Sequence, residues 1–585
     1  MLTQSRTTYD SWYDVRDQLT ESRRRPVMDG VVHEQQGAGR GGGEGGDDGG
    51  VPGAKNRWAV LGVLSLSLLV VALDLTVLNV ALPTLSTELR PSSVQLLWIV
   101  DVYSLVVAGL LISCGTLGDR LGRKRFLCLG FIVFGGASAA AAWASGPAML
   151  ITARALLGIG AAIIMPSTLS IIRNVFTDRK ERTVALAVWA TMSAAGAAVG
   201  PVVGGVMIEH FWWGSVFLIN VPIMVLALIA ALTLVPESRH PNPPRWDTAG
   251  ALLSVTGLIS LVYAIQHGGA KGLEAQTIIT GVLGLVLLTA LVVRVLRIRD
   301  PLFDPTLFRD RAFSVAVVSV VLAMFGMGGL MLLLTQHWQF IGGASPMESG
   351  LQLLPLLLAT MIGAPIMSVI VPRYGTRYAM MIGMGLIGAA FFVLMNVEPD
   401  TEYWVFAIAL AGIGAGAGCA MTAASDAIMS TADADTAGGA AGIEETSYEL
   451  GNGLSVAIMG SVASALFRRE MDDPVAGVDP KAMDAAREGL PDAVGVAGAL
   501  PGAVGEELKR RADNAFTDAF GVTSLCTGVI LVVVAVAVFL FIPPSAGRIT
   551  PATEGGGDAP EDGVDLVKQE SRESADGRPT PVDRP

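Results

Sequence analysis

Fourteen apolar segments recur between Trp58 and Ile542, at 58–83, 94–115, 126–145, 147–173, 182–208, 213–235, 248–267, 276–295, 312–336, 348–371, 378–397, 403–430, 439–466 and 517–542. At about 1.5 Å per residue, each gives a helix long enough to cross a hydrocarbon core about 30 Å thick. Within that core every backbone N–H and C=O must find its partner inside the protein, so segments of this length are read as helices. The chain is 52% hydrophobic and 16% charged, with a mean hydropathy of +0.55, which excludes an ordinary soluble domain. The expected fold class is an all-α integral membrane protein with 14 transmembrane helices.

Six acidic residues lie deeper in these segments than their first two positions: Asp74, Asp101, Asp426, Glu444, Glu445 and Glu449. A charge at the bilayer centre costs roughly 2.5–3.5 kcal/mol on insertion scales, so such groups mark ion or substrate pathways. Asp74 lies nine residues before Pro83 and Asp101 seven after Val94, on the next segment running back. Both are therefore roughly 10–14 Å below the outer surface and can share a depth and a cavity. Glu445 and Glu449 are four residues apart and line one helix face, which Asn452 continues; Glu444 and Tyr448 form the adjacent stripe. Glu444 can equally be a residue near the cytoplasmic headgroups, and Asp426 reads as near-interfacial. Arg154 is the one arginine placed well inside a segment. It either snorkels to the outer interface or faces the cavity beside a carboxylate and assists proton release.

Orientation follows from the loops. With the N-terminus inside, the short inner loops (around 120–125, 173–182, 239–245, 294–311 and 373–377) hold seventeen Lys and Arg, and the short outer loops hold only Arg90 and Lys271. The positive-inside rule then puts both termini in the cytoplasm. The expected organisation is a disordered cytoplasmic tail (1–57), a six-helix bundle (58–235), an inserted helix pair (236–295), a second six-helix bundle (296–543) and a disordered cytoplasmic tail (544–585). Segment 467–516 falls in an outer loop; its pieces KAMDAAREGL and GEELKRRADNAF favour helix and are expected to fold locally on the membrane surface. The Gly-rich run 37–50 lacks the GK[ST] of a phosphate loop and reads as a flexible tail, and no cleavable signal peptide is visible. The four cysteines, all in apolar segments, read as packing residues.

Between the second and third segments stands GTLGDRLGRKR (115–125), whose G-x-L-x-D-R-x-G-R-[KR] spacing is more specific than general positive-inside signalling. LDLTVLNVALP (73–83), RALLGIGAAIIMP (154–166) and GAAVGPVVGG (196–205) accompany it. Together these stretches resemble the major facilitator superfamily and, within it, the fourteen-helix drug:proton antiporters. WIVDVYSLVVAGLL (98–111), FWWGSVFLINVP (211–222) and GIEETSYELGNGL (442–454) are similar to the branch that includes the quaternary-ammonium exporter QacA. The resemblance runs from Trp58 to about Pro543 and leaves the tails outside. It implies a 6+2+6 major facilitator fold, with a site at the interface of two parallel repeats. It assigns gating to Asp119, Arg120 and Arg123, and to Gly200, Pro201 and Gly204, an element associated with export. The second-half counterpart VPRYGTRY (371–378) lacks the aspartate, so the main latch is expected in the first half.

Trp98, Tyr103, Trp189, Met192, Met324, Phe325, Trp338 and Tyr448, with Asn452, are candidates for lining a promiscuous pocket through cation–π and thioether contacts. Gln336, His337 and Gln339 lack metal-ligand company, and no metal site is expected. The function expected is proton-coupled efflux of organic cations, with Asp74, Asp101, Glu444, Glu445 and Glu449 binding protons or cations. A cation entering the cleft favours ionised carboxylates and displaces protons, and returning protons displace it. The partners are small lipophilic cations, protons and membrane lipids, with no nucleic acid and no cofactor. A monomer in the plasma membrane is expected. Two alternatives stay open: a dedicated exporter of one antibiotic or metabolite, and a non-transporting membrane sensor. An enzyme or ATP-driven pump is disfavoured by the absence of HExxH and of a phosphate loop.

Overall fold

The computed structural model describes residues 56–239, 246–298, 304–431 and 437–542. The two tails, including the Gly-rich run 37–50, fall almost wholly outside the described residues. Among the described residues the regular structure is helical, and fourteen helices are long and apolar enough to span a membrane. In chain order they are α1 (Arg57–Leu89), α2 (Ser93–Leu121), α3 (Arg123–Ala142), α4 (Pro147–Val175), α5 (Arg179–His210), α6 (Asn220–Leu234), α7 (Thr248–Lys271) and α8 (Ala275–Arg297). There follow α9 (Arg311–Gln336), α10 (Leu354–Tyr374), α11 (Thr376–Leu394), α12 (Tyr403–Thr431), α13 (Ala437–Glu470) and α14 (Gly502–Phe541). A π-turn, His337–Ile341, extends α9, and a short helix, Pro346–Gln352, leads into α10.

The packing order repeats. In the first half α1 packs on α5, α2 on α4, α3 on α4 and α3 on α6; in the second, α9 packs on α13, α10 on α12, α11 on α12 and α11 on α14. Each helix of the first half thus finds its counterpart eight places later, as expected of two parallel six-helix repeats separated by an inserted pair. The loops agree: Gly122 between α2 and α3 has φ 107°, and Gly375 between α10 and α11 has φ 90°. Both are left-handed positions that a side chain would strain.

The inserted pair is not peripheral. Helix α7 packs on α2 of the first half and on α13 of the second. A Cβ at Gly109 would stand 2.7 Å from Val255 and one at Gly269 2.6 Å from Ser461, so both approaches are close. Helix α8 packs on α7, where Arg294 donates to both carboxylate oxygens of Asp247 at 2.9–3.0 Å. That hydrogen bonding holds the Asp247 carboxyl below its usual range. Asp247 also caps α7, accepting from the backbone N–H of Gly250 at 2.9 Å.

The stretch 467–516 departs in part from expectation. It contains two short helices, Pro480–Ala486 and Leu490–Ala499, but GEELKRRADNAF is not a separate surface element. It forms the first turns of α14, supported by the i,i+3 pair Glu507–Arg510 and the i,i+4 pair Lys509–Asp513. The short helices fold back on the bundle: Ser93 donates to the Glu488 carbonyl, and Arg487 to that of Met471 at 3.0 Å. At this same end the two halves touch backbone to backbone. A Cβ at Gly205 of α5 would lie 2.5 Å from Met347 Cα, a Cβ at Gly350 would meet the Pro201 carbonyl, and Gln339 donates to the Val80 carbonyl at 3.1 Å.

Candidate functional site: buried carboxylates between the halves

Asp74 projects from α1 into a fully enclosed polar cluster. Arg154 of α4 donates from Nη1 to its Oδ2 at 2.6 Å, and Asn220, opening α6, donates from Nδ2 to Oδ1 at 2.8 Å. Arg154 Nε donates to the Ile99 carbonyl of α2 at 3.1 Å, and its guanidinium lies 4.6 Å from the centre of the Tyr103 ring. Asp74 and Asn220 are 0% exposed, and Arg154 and Tyr103 1%. Arg154 points inward onto Asp74 and does not snorkel. Helix α4 comes this close because Gly158 faces α2: a Cβ there would stand 2.8 Å from the Tyr103 carbonyl.

Asp101 has a different surrounding. It is 1% exposed and accepts from Gln266 Nε2 of α7 at 2.6 Å, while its Oδ1 has no partner. Asp74 and Asp101 therefore take separate partner sets, one completed by α4 and α6 and the other by the inserted pair. Their equal depth does not make them a pair.

In α13 the two predicted stripes diverge. Tyr448 donates to Glu444 at 2.8 Å, and Ser425 of α12 also bonds Glu444, whereas Glu449 bonds Ser104 of α2 and leaves its Oε2 unpartnered. Asn452 donates to Ser104 as well, at 3.2 Å, so Ser104 joins the first half to the second. Glu444 and Glu449 are both buried and Glu445 is half-buried between them. Asp426 accepts from Thr376 at 3.0 Å. Among the described residues, Asp74 alone of the six intramembrane acids has a basic partner. Buried carboxylates without counter-ions must be protonated or neutralised by a bound cation.

Beside these acids lies a cavity of about 490 Å³ between α10, α12 and α13, lined by Thr360, Met421, Ser425, Asp426, Met429 and Tyr448 among others. Of the proposed pocket set, Tyr448 lines this cavity, while Tyr103 and Asn452 stand at the buried polar contacts between helices. Trp98 packs on Tyr263 of α7, with ring centroids 6.3 Å apart, and Trp189 donates to Thr168 at 3.1 Å. Met324 lies against Gly451, Phe325 is buried and accepts from Ser455 through its carbonyl, Met192 is half-buried on α5, and Trp338 packs on Phe406.

The proposed gating residues fall into two places. Asp119 and Arg123 pair at 2.8 Å across the turn between α2 and α3, and Arg123 also reaches the Ser170 carbonyl at 3.5 Å. Arg120 is exposed. The other group sits on α5, where a Cβ at Gly204 would lie 2.6 Å from Val77 and one at Gly200 would meet Thr76, both of α1. Pro201 stands between them, buried, at the point that Gly350 approaches.

Four site residues escaped the sequence reading: Asn220, Gln266, Ser104 and Ser425. Asn220 had a signal, since it is the one strongly polar residue of α6 and sits in a stretch that already resembled a family motif. Ser104 and Ser425 had none, because a serine inside a membrane helix usually bonds its own preceding turn.

Two repeated six-helix halves, an inserted pair and buried acids without basic partners define a membrane transporter. Residues 64–456, more than half of the chain, match the Major Facilitator Superfamily, and the chain belongs to that family. It is 37% identical over 481 residues to the multidrug efflux pump LfrA of Mycolicibacterium smegmatis, covering 82% of this chain and 95% of that one. It is 38% identical over 493 residues to the methyl viologen resistance protein SmvA of Salmonella typhimurium, covering 84% and 99%. Among solved structures, a bacterial homologue of the human lysosomal transporter Spinster, inward-facing and occupied, superposes with a TM-score of 0.59 at 16% identity, over 86% of this chain and 100% of that chain. At that identity the likeness concerns the fold alone.

Proposed function

We propose that this protein is a proton-coupled efflux antiporter for lipophilic organic cations, such as quaternary ammonium compounds and cationic dyes, in the plasma membrane with both termini cytoplasmic. One observation carries the reading: of the four buried intramembrane acids, Asp101, Glu444 and Glu449 lack a basic partner, and Glu449 bonds Ser104 where the halves meet. Two relatives named for multidrug efflux and for resistance to methyl viologen support it.

The working cycle follows from the charges. A cation entering the cavity meets Tyr448, Met421, Met429 and Asp426, which offer a ring face, thioethers and a carboxylate. Its charge favours ionised acids on α13 and on Asp101, so protons leave as it binds. Protons arriving from the opposite side restore the neutral acids and release it. Asp74, already neutralised by Arg154, serves chiefly to hold α1, α4 and α6 together, and can be protonated only if Arg154 finds another partner. The Gly205–Met347 and Gly350–Pro201 contacts close the end expected to face outward, so the cavity belongs to an inward-accessible arrangement. No cofactor enters this cycle; the proton gradient drives it.

Efflux of ethidium from loaded cells expressing the protein is expected to be uncoupler-sensitive, and to be lost in Asp101→Asn and Glu449→Gln variants that still reach the membrane. Ethidium retention by wild-type cells, with the protein present in the membrane, would instead favour a dedicated exporter of a neutral or anionic metabolite.

A further inference from the structure

Gln266 of α7, in the inserted helix pair, reaches the buried acid Asp101. The hydrogen-bond inventory of that contact is incomplete in a particular way. Gln266 Nε2 donates to Asp101 Oδ2 at 2.6 Å, and two oxygens are left over: Asp101 Oδ1 and Gln266 Oε1, both buried and both without a donor. Each residue is 1% exposed, so water does not reach the leftover oxygens freely. One proton on the carboxyl resolves both deficits. It turns Oδ1 into a donor, and Gln266, already bonded to the same carboxyl, carries a buried amide oxygen that lacks one.

The surroundings offer no substitute. Ion pairs among the described residues include none with Asp101. Of the titratable groups on the helices packed against α2, Arg154 of α4 is committed to Asp74 of α1, and Glu449 of α13 bonds Ser104. Glu445 of α13 is a further acid and supplies no counter-charge. On α7, His267 stacks on Tyr263 and lies 3.7 Å from Glu274. Lys124 and Arg125 of α3 face Leu232 and Glu237 at the far end of the helix.

We infer that Gln266 is a positioning residue for proton coupling: Asp101 and Gln266 together form a one-proton site, and α7 thereby belongs to the coupling machinery. Only an O–H bond forms on loading and breaks on unloading, with the proton exchanged with water. A primary amide suits this task because it donates to the ionised acid and accepts from the protonated one. Leucine does neither, and glutamate adds a second proton.

This inference rests on the proton-antiport reading, and the test separates the two. Wild type, Gln266→Leu, Gln266→Glu and Asp101→Asn would be purified, reconstituted, and assayed for pH-gradient-driven ethidium transport across a pH series. Infrared difference spectra between pH steps would follow the carboxylic-acid carbonyl band that Asp101→Asn removes. The expected result is that Gln266→Leu displaces the midpoint of both the transport profile and the Asp101 band by about one pH unit or more, since a hydrogen bond to a charged group is at stake. Gln266→Glu is expected to restore transport with a displaced profile. If wild type shows no gradient-driven transport, the antiport reading fails. If wild type is gradient-driven but Gln266→Leu or Gln266→Glu folds and keeps the wild-type midpoint and band, the inference about Gln266 is overturned and antiport stands. Should Gln266→Leu not fold, the Gln266→Glu spectrum decides alone.

Discussion

Asp74→Asn is expected to abolish ethidium efflux and to lower the yield of folded protein. The substitution leaves the Arg154 guanidinium, 1% exposed, facing an amide that cannot carry its counter-charge. Removing one partner of a buried ion pair costs roughly 3–5 kcal/mol, which is more than a hundredfold in the folded population. Arg154→Gln in the same chain removes the stranded charge. The double variant Asp74→Asn/Arg154→Gln should therefore regain thermal stability in detergent, most of it through the remaining amide contacts with Asn220. Measuring melting temperature beside efflux tells the pair's structural role from a transport role. A single Asp74→Asn variant as stable as wild type would show that Arg154 is not held by that carboxylate.

Gly196→Ala is expected to be the more damaging of two formally similar changes on α5. A methyl at Gly196 meets the backbone carbonyl of Leu69, which cannot move without shifting α1. A methyl at Gly200 meets the Thr76 hydroxyl, the end of a side chain. Overpacking at a rigid contact costs about 1–3 kcal/mol, and membrane helices depend on such close approaches for their association. Gly196→Ala should therefore cut the folded yield about tenfold or more, while Gly200→Ala should be relieved by a second change, Thr76→Ala. Fluorescence-detected size-exclusion profiles of the three variants and wild type check this. Equal profiles for Gly196→Ala and wild type would mean that α1 and α5 are not in backbone contact.

Much of this architecture was legible in the sequence because the bilayer imposes length and hydropathy on each helix separately. The fourteen segments, the placement of Asp74 and Arg154, and the Glu444–Tyr448 stripe all follow from spacing along one chain segment. Ends were less legible: α1 runs past Pro83 to Leu89, and α14 begins at Gly502, because hydropathy marks the apolar middle of a helix and not its polar turns. Partners across the bundle were not legible at all. Asn220 is 146 residues from Asp74, Gln266 is 165 from Asp101, and Asn452 is 348 from Ser104. Helical periodicity says which face a residue occupies, and it is silent on which helix that face meets. For the same reason the shared depth of Asp74 and Asp101 suggested a common cavity, whereas their helices turn them toward different neighbours.

If unpaired buried carboxylates exchange protons against a cation, transport and proton flux must be coupled. Purified protein reconstituted with a pH-sensitive dye in the vesicle lumen, given ethidium and an imposed pH gradient, tests it directly. Ethidium is expected to move only while the gradient stands, with lumenal pH changing in step, and both signals are expected to vanish together in Glu449→Gln. Ethidium movement that continues unchanged after the gradient is collapsed, with no accompanying proton flux, would contradict it.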